Sequence, residues 1–255
     1  MSEILFLGTG AADWDIDAKD SFVRRFSASL LNGEFMIDCN PHVFHFAKSI
    51  GNEGLYDGVT DIVITHGHGD HFSKEAVERI ADSRKIRVGC DGRIAALIGS
   101  HPNIEFNIFK PYVETRMGSY TVIPVLANHD MVIDGDACAF HFIITAPDGK
   151  KIFYGLDGAW FLRPTWQEML KHRYDLMVFD VTVGDKDDWR LFEHNTIPML
   201  RTMLKEIKSK ELVAEGGKLV ASHLARTLHL SHGEIEEILK KEDMITAYDG
   251  MRLDI

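Results

Sequence analysis

The segment Thr65-His66-Gly67-His68-Gly69-Asp70-His71 constrains this chain more than any other part of it. It sets four potential metal ligands within six residues, directly after the apolar run Ile62–Thr65. Side chains of an extended segment alternate, so His66 and His68 project to one side. Asp70 and His71 follow where the chain turns toward a helix, expected over Lys74–Ser83 with Ser73 as N-cap. They therefore aim at a second position nearby. Gly67 and Gly69 let the backbone bend tightly around both positions. Imidazole and carboxylate donors suit zinc, manganese or iron. The competing reading, a polar surface loop with idle histidines, does not account for four donors at this spacing.

The rest of the chain is compatible with a folded protein built around such a site. Its 255 residues, 45% hydrophobic and 26% charged, bury a sizeable core and fit one domain over residues 1–255. The net charge of −11 argues against a general nucleic-acid binder, which carries a basic footprint. Cys39, Cys90 and Cys138 are too scattered for a disulfide framework or a paired-cysteine zinc site. The opening MSEILFLGTG lacks a basic stretch before its short apolar run, unlike a signal peptide. No stretch reaches the roughly 18–20 apolar residues of a membrane span. A cytoplasmic location with reduced thiols is the expectation.

Short apolar or alternating runs predict strands at Ile4–Leu7, Ala28–Leu31, Glu34–Asp38, Ile62–Thr65, Ile86–Cys90 and Ser119–Ala127. Asn32-Gly33 predicts a hairpin turn. Ala137–Thr145 and Lys151–Tyr154 read as a second hairpin around Pro147-Asp148-Gly149. The C-terminal half alternates: helix Trp166–His172, strand Asp175–Phe179, helix Ile197–Lys208, strand Lys218–Ala221. Ser231-His232-Gly233-Glu234 is a capping-box pattern opening a helix that turns Ile235, Ile238 and Leu239 inward. Ile245–Ala247 and Met251–Ile255 read as closing strands. Many strands with interspersed helices fit two packed sheets covered by helices.

The His66–His71 segment resembles the HxHxDH motif of metallo-β-lactamase-fold hydrolases. That resemblance implies an α/β (α+β) fold, a four-layered αββα sandwich with the metals at one edge of the two sheets. It also implies ligands at the ends of later strands, and His129, Asp157 and His223 each follow an apolar run. Carried over residue by residue, His66, His68 and His129 hold one divalent ion. Asp70, His71 and His223 hold the other, and Asp157 bridges them, with Asp180 as its main rival. Asp38, at the end of the run Phe35-Met36-Ile37, would support a ligand imidazole from behind.

Two divalent ions, zinc or manganese with iron as an alternative, would lower the pKa of a bridging water toward about 7. Phosphodiesters, thioesters, lactams and lactones are all within reach of that chemistry. Phe179-Asp180-Val181-Thr182 and Glu193-His194-Asn195-Thr196 resemble paired motifs of the phosphodiesterase branch. That branch includes the tRNA 3′-end-processing endonucleases and the cyclic-phosphate phosphodiesterases of phosphonate breakdown. The resemblance implies His194 as general acid, oriented by Asp180, with Asp70 also in the catalytic set.

Only 27 residues separate His129 from Asp157, too few for a tRNA-gripping arm. With the acidic charge, this favours a small or cyclic phosphodiester over a nucleic-acid polymer. Residues 10–30 contain no cysteine for the structural zinc site of the phosphonate-pathway enzymes. A thioesterase or lactonase of glyoxalase II type is the runner-up, although residues 224–255 are short for its helical part. A mononuclear-iron dioxygenase keeps the same histidines, whereas the diiron flavoproteins replace the residue at His68 with Glu. A metal-binding protein without activity is a further reading. Contacts of Arg24, Arg25, His229 and His232 with substrate stay open, as does a homodimer.

Overall fold

The double burial of its strands explains how this chain forms layers. In β1 (Glu3–Gly8), Ile4 and Phe6 face one apolar cluster while Leu5 and Leu7 face another. Such a strand must be covered on both sides. The computed structural model describes every residue except 18–21, 130–131, 134–135, 138 and 230.

After β1 come β2 (Ala28–Leu31), β3 (Phe35–Ile37), α1 (His42–Ser49), β4 (Asp61–Val63), α2 (Lys74–Ala81), β5 (Ile86–Cys90) and α3 (Gly92–Ile98). The chain continues through β6 (Ile104–Ile108), β7 (Thr115–Met117), β8 (Tyr120–Leu126), β9 (Val132–Ile133), β10 (Asp136–Ala137), β11 (Phe140–Thr145) and β12 (Lys151–Gly155). It ends with α4 (Arg163–Met169), β13 (Tyr174–Asp180), α5 (Ile197–Ser209), β14 (Val213–Ser222), α6 (His232–Lys240), β15 (Met244–Thr246) and β16 (Arg252–Asp254).

Two seven-stranded sheets result, ordered β16-β1-β2-β3-β4-β5-β6 and β15-β14-β13-β12-β11-β8-β7. Both use one pairing pattern. From β16 to β3, and from β7 to β12, neighbours are antiparallel; from β3 to β6, and from β12 to β15, they are parallel. The apolar clusters follow. One fills the space between the sheets, with Phe35, Phe142, Tyr154 and Val178. A second lies under α1, α2 and α3, and a third under α4, α5 and α6. This is the expected αββα sandwich. Among the described residues, no helix is long and apolar enough to cross a membrane.

Most predicted elements are present within a residue or two. Asn32 and Gly33 both take positive φ, 51° and 74°, as a two-residue hairpin turn requires. Ser73 Oγ accepts from Ala76 N at the start of α2, and the Ser231–Glu234 capping box opens α6. Three differences have physical reasons. The helix expected over Trp166–His172 starts earlier, because Pro164 occupies its first turn. β14 begins at Val213, since Gly216 (φ 75°) and Gly217 belong to an irregular register with β13 and not to a turn before the strand. The strand expected from Ala137 begins at Phe140, and its position 138 lies outside the described residues. Helices α1 and α3 were not anticipated; α3 opens on Gly92 and depends on an Asp91 cap. Cys39 and Cys90 are buried and unpaired, while Cys138 lies outside the described residues.

Candidate metal centre

The carboxyl ends of the parallel strands of both sheets meet at one edge of the sandwich, where open α/β sheets place their sites. β3 ends before Asp38, β4 before Thr65–His71, β12 before Asp157, β13 at Asp180 and β14 before His223. Three of these residues leave their strands in the left-handed region: Asp38 (φ 63°), Asp157 (φ 49°) and His223 (φ 57°). Asp and His tolerate that conformation better than most residues. The turn swings each side chain toward the gap between the sheets.

Of the groups of donor atoms that meet there, two contain the expected ligands. The first contains His66, His68, His129 and Asp157, and the second Asp70, His71, Asp157 and His223. In the first, His68 Nδ1 lies 3.1 Å from both His66 Nε2 and His129 Nε2. Asp157 Oδ2 lies 3.0 Å from His66 Nε2 and 3.8 Å from His129 Nε2. In the second, His71 Nε2 lies 3.2 Å from His223 Nε2 and 2.9 Å from Asp157 Oδ2. Asp70 Oδ2 lies 3.6 Å from His71 Nε2 and 3.4 Å from His223 Nε2.

These spacings fit metal ions. A tetrahedral ion with donors at about 2.0–2.1 Å holds them about 3.3–3.4 Å apart. Asp157 Oδ1 is buried and makes no hydrogen bond, although His223 Nε2 is 2.9 Å away. Such closeness without hydrogen-bond alignment is what a shared cation produces. Electrostatics agree. Burial holds His66 low and His129 down to about 3, so both stay neutral with a lone pair to offer. Burial also opposes charge on His71 and His223, yet Asp157, with its neighbouring carboxylates, overrides it and raises both, His223 to about 10. Burial likewise opposes ionisation of Asp157, but His223 and His71 hold its carboxyl well below the usual range. The carboxylates draw protons onto His71 and His223, positive charge that divalent ions would supply in their place.

Behind the donors lie two matching supports. Asp38 Oδ1 accepts from Thr65 N (2.8 Å) and Thr65 Oγ1 (2.9 Å), and Asp38 Oδ2 accepts from His71 Nδ1 (2.7 Å). Thr65 Oγ1 in turn lies 3.0 Å from His66 Nδ1. In the other half, Asp180 Oδ1 accepts from Thr182 N (2.6 Å) and Thr182 Oγ1 (2.5 Å). Asp180 Oδ2 accepts from Gly158 N (3.1 Å) and His194 Nδ1 (2.8 Å). Thr182 Oγ1, its proton committed to Asp180, accepts from His223 Nδ1 at 2.6 Å. Each aspartate thus fixes one histidine directly and another through a threonine hydroxyl.

Asp180 falls with Asp157, His194 and His223 in a further group of donor atoms, and its carboxylate already accepts from four donors, Gly158 N, Thr182 N, Thr182 Oγ1 and His194 Nδ1. Asp157 alone belongs to both donor groups above. His129 Nδ1 lies 3.2 Å from the Glu193 carbonyl, and His194 stacks on His223 with ring centroids 5.5 Å apart. Burial lowers the affinity of His194 for a proton, but the Asp180 carboxylate more than offsets this and raises it.

The structure therefore brings together His66, His68, Asp70, His71, His129, Asp157, Asp180, His194 and His223, with Asp38 behind them. Thr65, Thr182 and His141 are the residues whose contributions sequence reading missed. His141 Nε2 lies 3.3 Å from the Asp157 carbonyl and so braces the strained residue. A threonine directly before the histidine motif, and another two residues after Asp180, were the available signals. Arg25 is ion-paired with Asp249 at 3.3 Å, while Arg24, His229 and His232 line a neighbouring cavity.

The threonine relay gives a prediction. Thr182→Val removes the hydroxyl joining His223 to Asp180, and metal affinity or turnover falls about 10–100-fold, the range for losing such a support. Thr182→Ser retains both. Calorimetric metal titration of the two variants checks this.

Comparison with known proteins bears on the fold. No protein-family model matches the chain, and neither does any curated protein. Solved structures do match. A crystal structure of a new diphosphatase from the PhnP family is 16% identical with TM-score 0.74, covering 100% of this chain and 98% of that one. Zn²⁺-bound PqqB from Methylobacterium extorquens is 13% identical with TM-score 0.76, covering 99% and 100%. The short form of human tRNase Z is 20% identical with TM-score 0.69, covering 99% of each. The chain has the metallo-β-lactamase fold.

Proposed function

We propose that this metallo-β-lactamase-fold chain is a metal-dependent hydrolase, a phosphodiesterase acting on a small or cyclic phosphodiester. The His194–Asp180 pair beside the two donor groups carries this reading. Hydrolysis of a thioester has less need of an acid at that place, because thiolates leave more readily than alkoxides.

In this reading His66, His68 and His129 would hold one divalent ion and Asp70, His71 and His223 the other, and Asp157 belongs to both groups. Zinc or manganese suits the donor set, and iron is the alternative. When bound, the ions supply a nucleophile at neutral pH by lowering the pKa of water, and they offset charge on phosphoryl oxygens. Asp180 holds His194 through Nδ1, which fixes the ring. No hydrogen bond among the described residues engages His194 Nε2, so that atom carries the proton delivered to the departing alkoxide. The cleft, about 150 Å³ and lined by His68, His129, His194, Arg190 and Asp13, has room for a phosphoryl group. PhnP-family diphosphatase and tRNase Z among the structural neighbours support phosphoester chemistry for this fold.

A substrate panel tests the proposal. The metal-loaded protein hydrolyses alkyl and cyclic phosphodiesters, and chelation abolishes the activity. Thioester or lactone cleavage with no turnover of any diester contradicts it.

A further inference from the structure

Beside the metal cleft lies a second cavity of about 290 Å³, with Trp14, Phe22, Arg24, Arg226, His232 and Ile235 in its wall. Ala225, two residues beyond the proposed ligand His223, lines both spaces. The wall is firmly built. The Asp13 carboxylate accepts from Arg226 N (2.7 Å), Thr227 N (2.9 Å) and Thr227 Oγ1 (2.7 Å). Trp14 Nε1 donates to the Leu224 carbonyl at 2.6 Å. The indole is therefore pinned to the segment that carries His223. Phe22 stacks on His232, with centroids 5.0 Å apart and planes 19° from parallel, and the Arg24 guanidinium carbon also lies 5.0 Å from the Phe22 ring centroid.

The charge of this wall is unusual. Arg24 is 2% exposed, yet its guanidinium bonds only neutral acceptors: Thr9 Oγ1 (2.5 Å), the Ala247 carbonyl (2.6 Å) and His232 Nδ1 (2.8 Å). No carboxylate among the described residues forms an ion pair with it. Asp249, whose field reaches Arg24, is itself bound by Arg25. A buried cation without an anion is costly, and guanidinium groups favour π-faces and phosphates. Because His232 Nδ1 accepts from Arg24, its Nε2 carries the proton and is a free donor among the described residues.

We propose that this cavity is a subsite for a planar aromatic ring of the substrate, whose phosphoryl group lies in the adjoining metal cleft. The inference rests on the phosphodiesterase reading. Trp14 and Phe22 supply faces for stacking, Arg24 and Arg226 supply positive charge, and His232 Nε2 supplies a hydrogen-bond donor. A nucleobase and a simple aryl ester share this chemistry. Stacking of a base on aromatic side chains is worth about tenfold to hundredfold in affinity.

Equilibrium binding to the metal-loaded protein tests it, with AMP, phenyl phosphate and ribose 5-phosphate as probes. At least one of the two ring-bearing probes binds about tenfold or more tightly than ribose 5-phosphate. AMP ahead of phenyl phosphate identifies a nucleobase as the ring, and the reverse order identifies an aryl group. Phe22→Ala removes an exposed ring outside the core, and Trp14→Leu removes the indole. Either variant, with its metal content unchanged, brings the preferred probe to within about threefold of ribose 5-phosphate. Equal binding of all three probes by the wild type overturns the proposal, as does a ring preference untouched by both variants. The two readings fail separately. Ring preference without turnover of any diester removes the phosphodiesterase and keeps the subsite; turnover without ring preference does the opposite.

Discussion

Asp157→Asn lowers metal-dependent turnover by about 10³-fold and reduces the metal bound per chain. Asparagine has nearly the same shape and tolerates the positive φ of 49° at this position, so the backbone stays in place. The carbonyl that meets His141 is also untouched. What is lost is the charge of a carboxylate whose oxygens lie 2.9–3.0 Å from His66, His71 and His223. Two divalent ions at these positions would then have only neutral imidazoles and Asp70 to offset their repulsion. Metal-ion stabilisation of a developing charge is worth several kcal/mol. Each 1.36 kcal/mol is tenfold in rate, so about 4 kcal/mol corresponds to about 10³-fold. Steady-state kinetics with elemental analysis of the same sample measure both effects. An asparagine variant that retains two ions and turns over within tenfold of the wild type contradicts the bridging role.

The second large effect is at His194. His194→Ala lowers kcat on alkyl diesters by about 10²–10⁴-fold, the usual contribution of a positioned general acid. Metal content stays the same, since His194 supports no ligand imidazole through a hydrogen bond. A p-nitrophenyl diester, whose leaving group departs without a proton, loses far less. That contrast separates acid catalysis from structural damage, which slows both substrates alike. Equal losses on both diesters, or none on either, remove the acid role.

How much of this was legible in the sequence depended on how local each signal was. The histidine motif is compressed into seven residues after an apolar strand, so its donors were legible together, although the segment is a turn that closes with His71 N and Phe72 N on the His68 carbonyl. Asp157 and His223 are single residues after ordinary strands. Only resemblance to a known family singled them out, and the positive φ that aims each inward leaves no mark that pattern reading detects. The layered fold was legible because strands such as β1 and β13 are apolar on both faces. Residues Leu176 and Val178 face the other sheet, while Met177 and Phe179 face the helices. The direct supports by Asp38 and Asp180 were read through the resemblance, but the threonine relays were not, although Asp180 and Thr182 are only two residues apart, because hydroxyl relays depend on side-chain distances. The ring-lined cavity was still further from view. Trp14, Phe22 and His232 become neighbours only when residues near both ends of the chain meet, which no local pattern encodes.

The histidine excess can now be apportioned. Of 13 histidines, five point their nitrogens into the donor groups and His194 stands beside them. His141 braces a backbone carbonyl and His232 faces the second cavity. The net charge of −11 is likewise uneven in its effect, because the second cavity carries buried positive charge within an acidic protein.

Anomalous diffraction at the metal edge, from crystals grown with zinc or manganese, tests the central claim most directly. Two peaks are expected. One lies about 2.0–2.2 Å from the ligand atoms of His66, His68 and His129, and the other at the same distance from those of Asp70, His71 and His223. An Asp157 oxygen lies within reach of both. A single peak, or peaks away from these residues at saturating metal, contradicts the account.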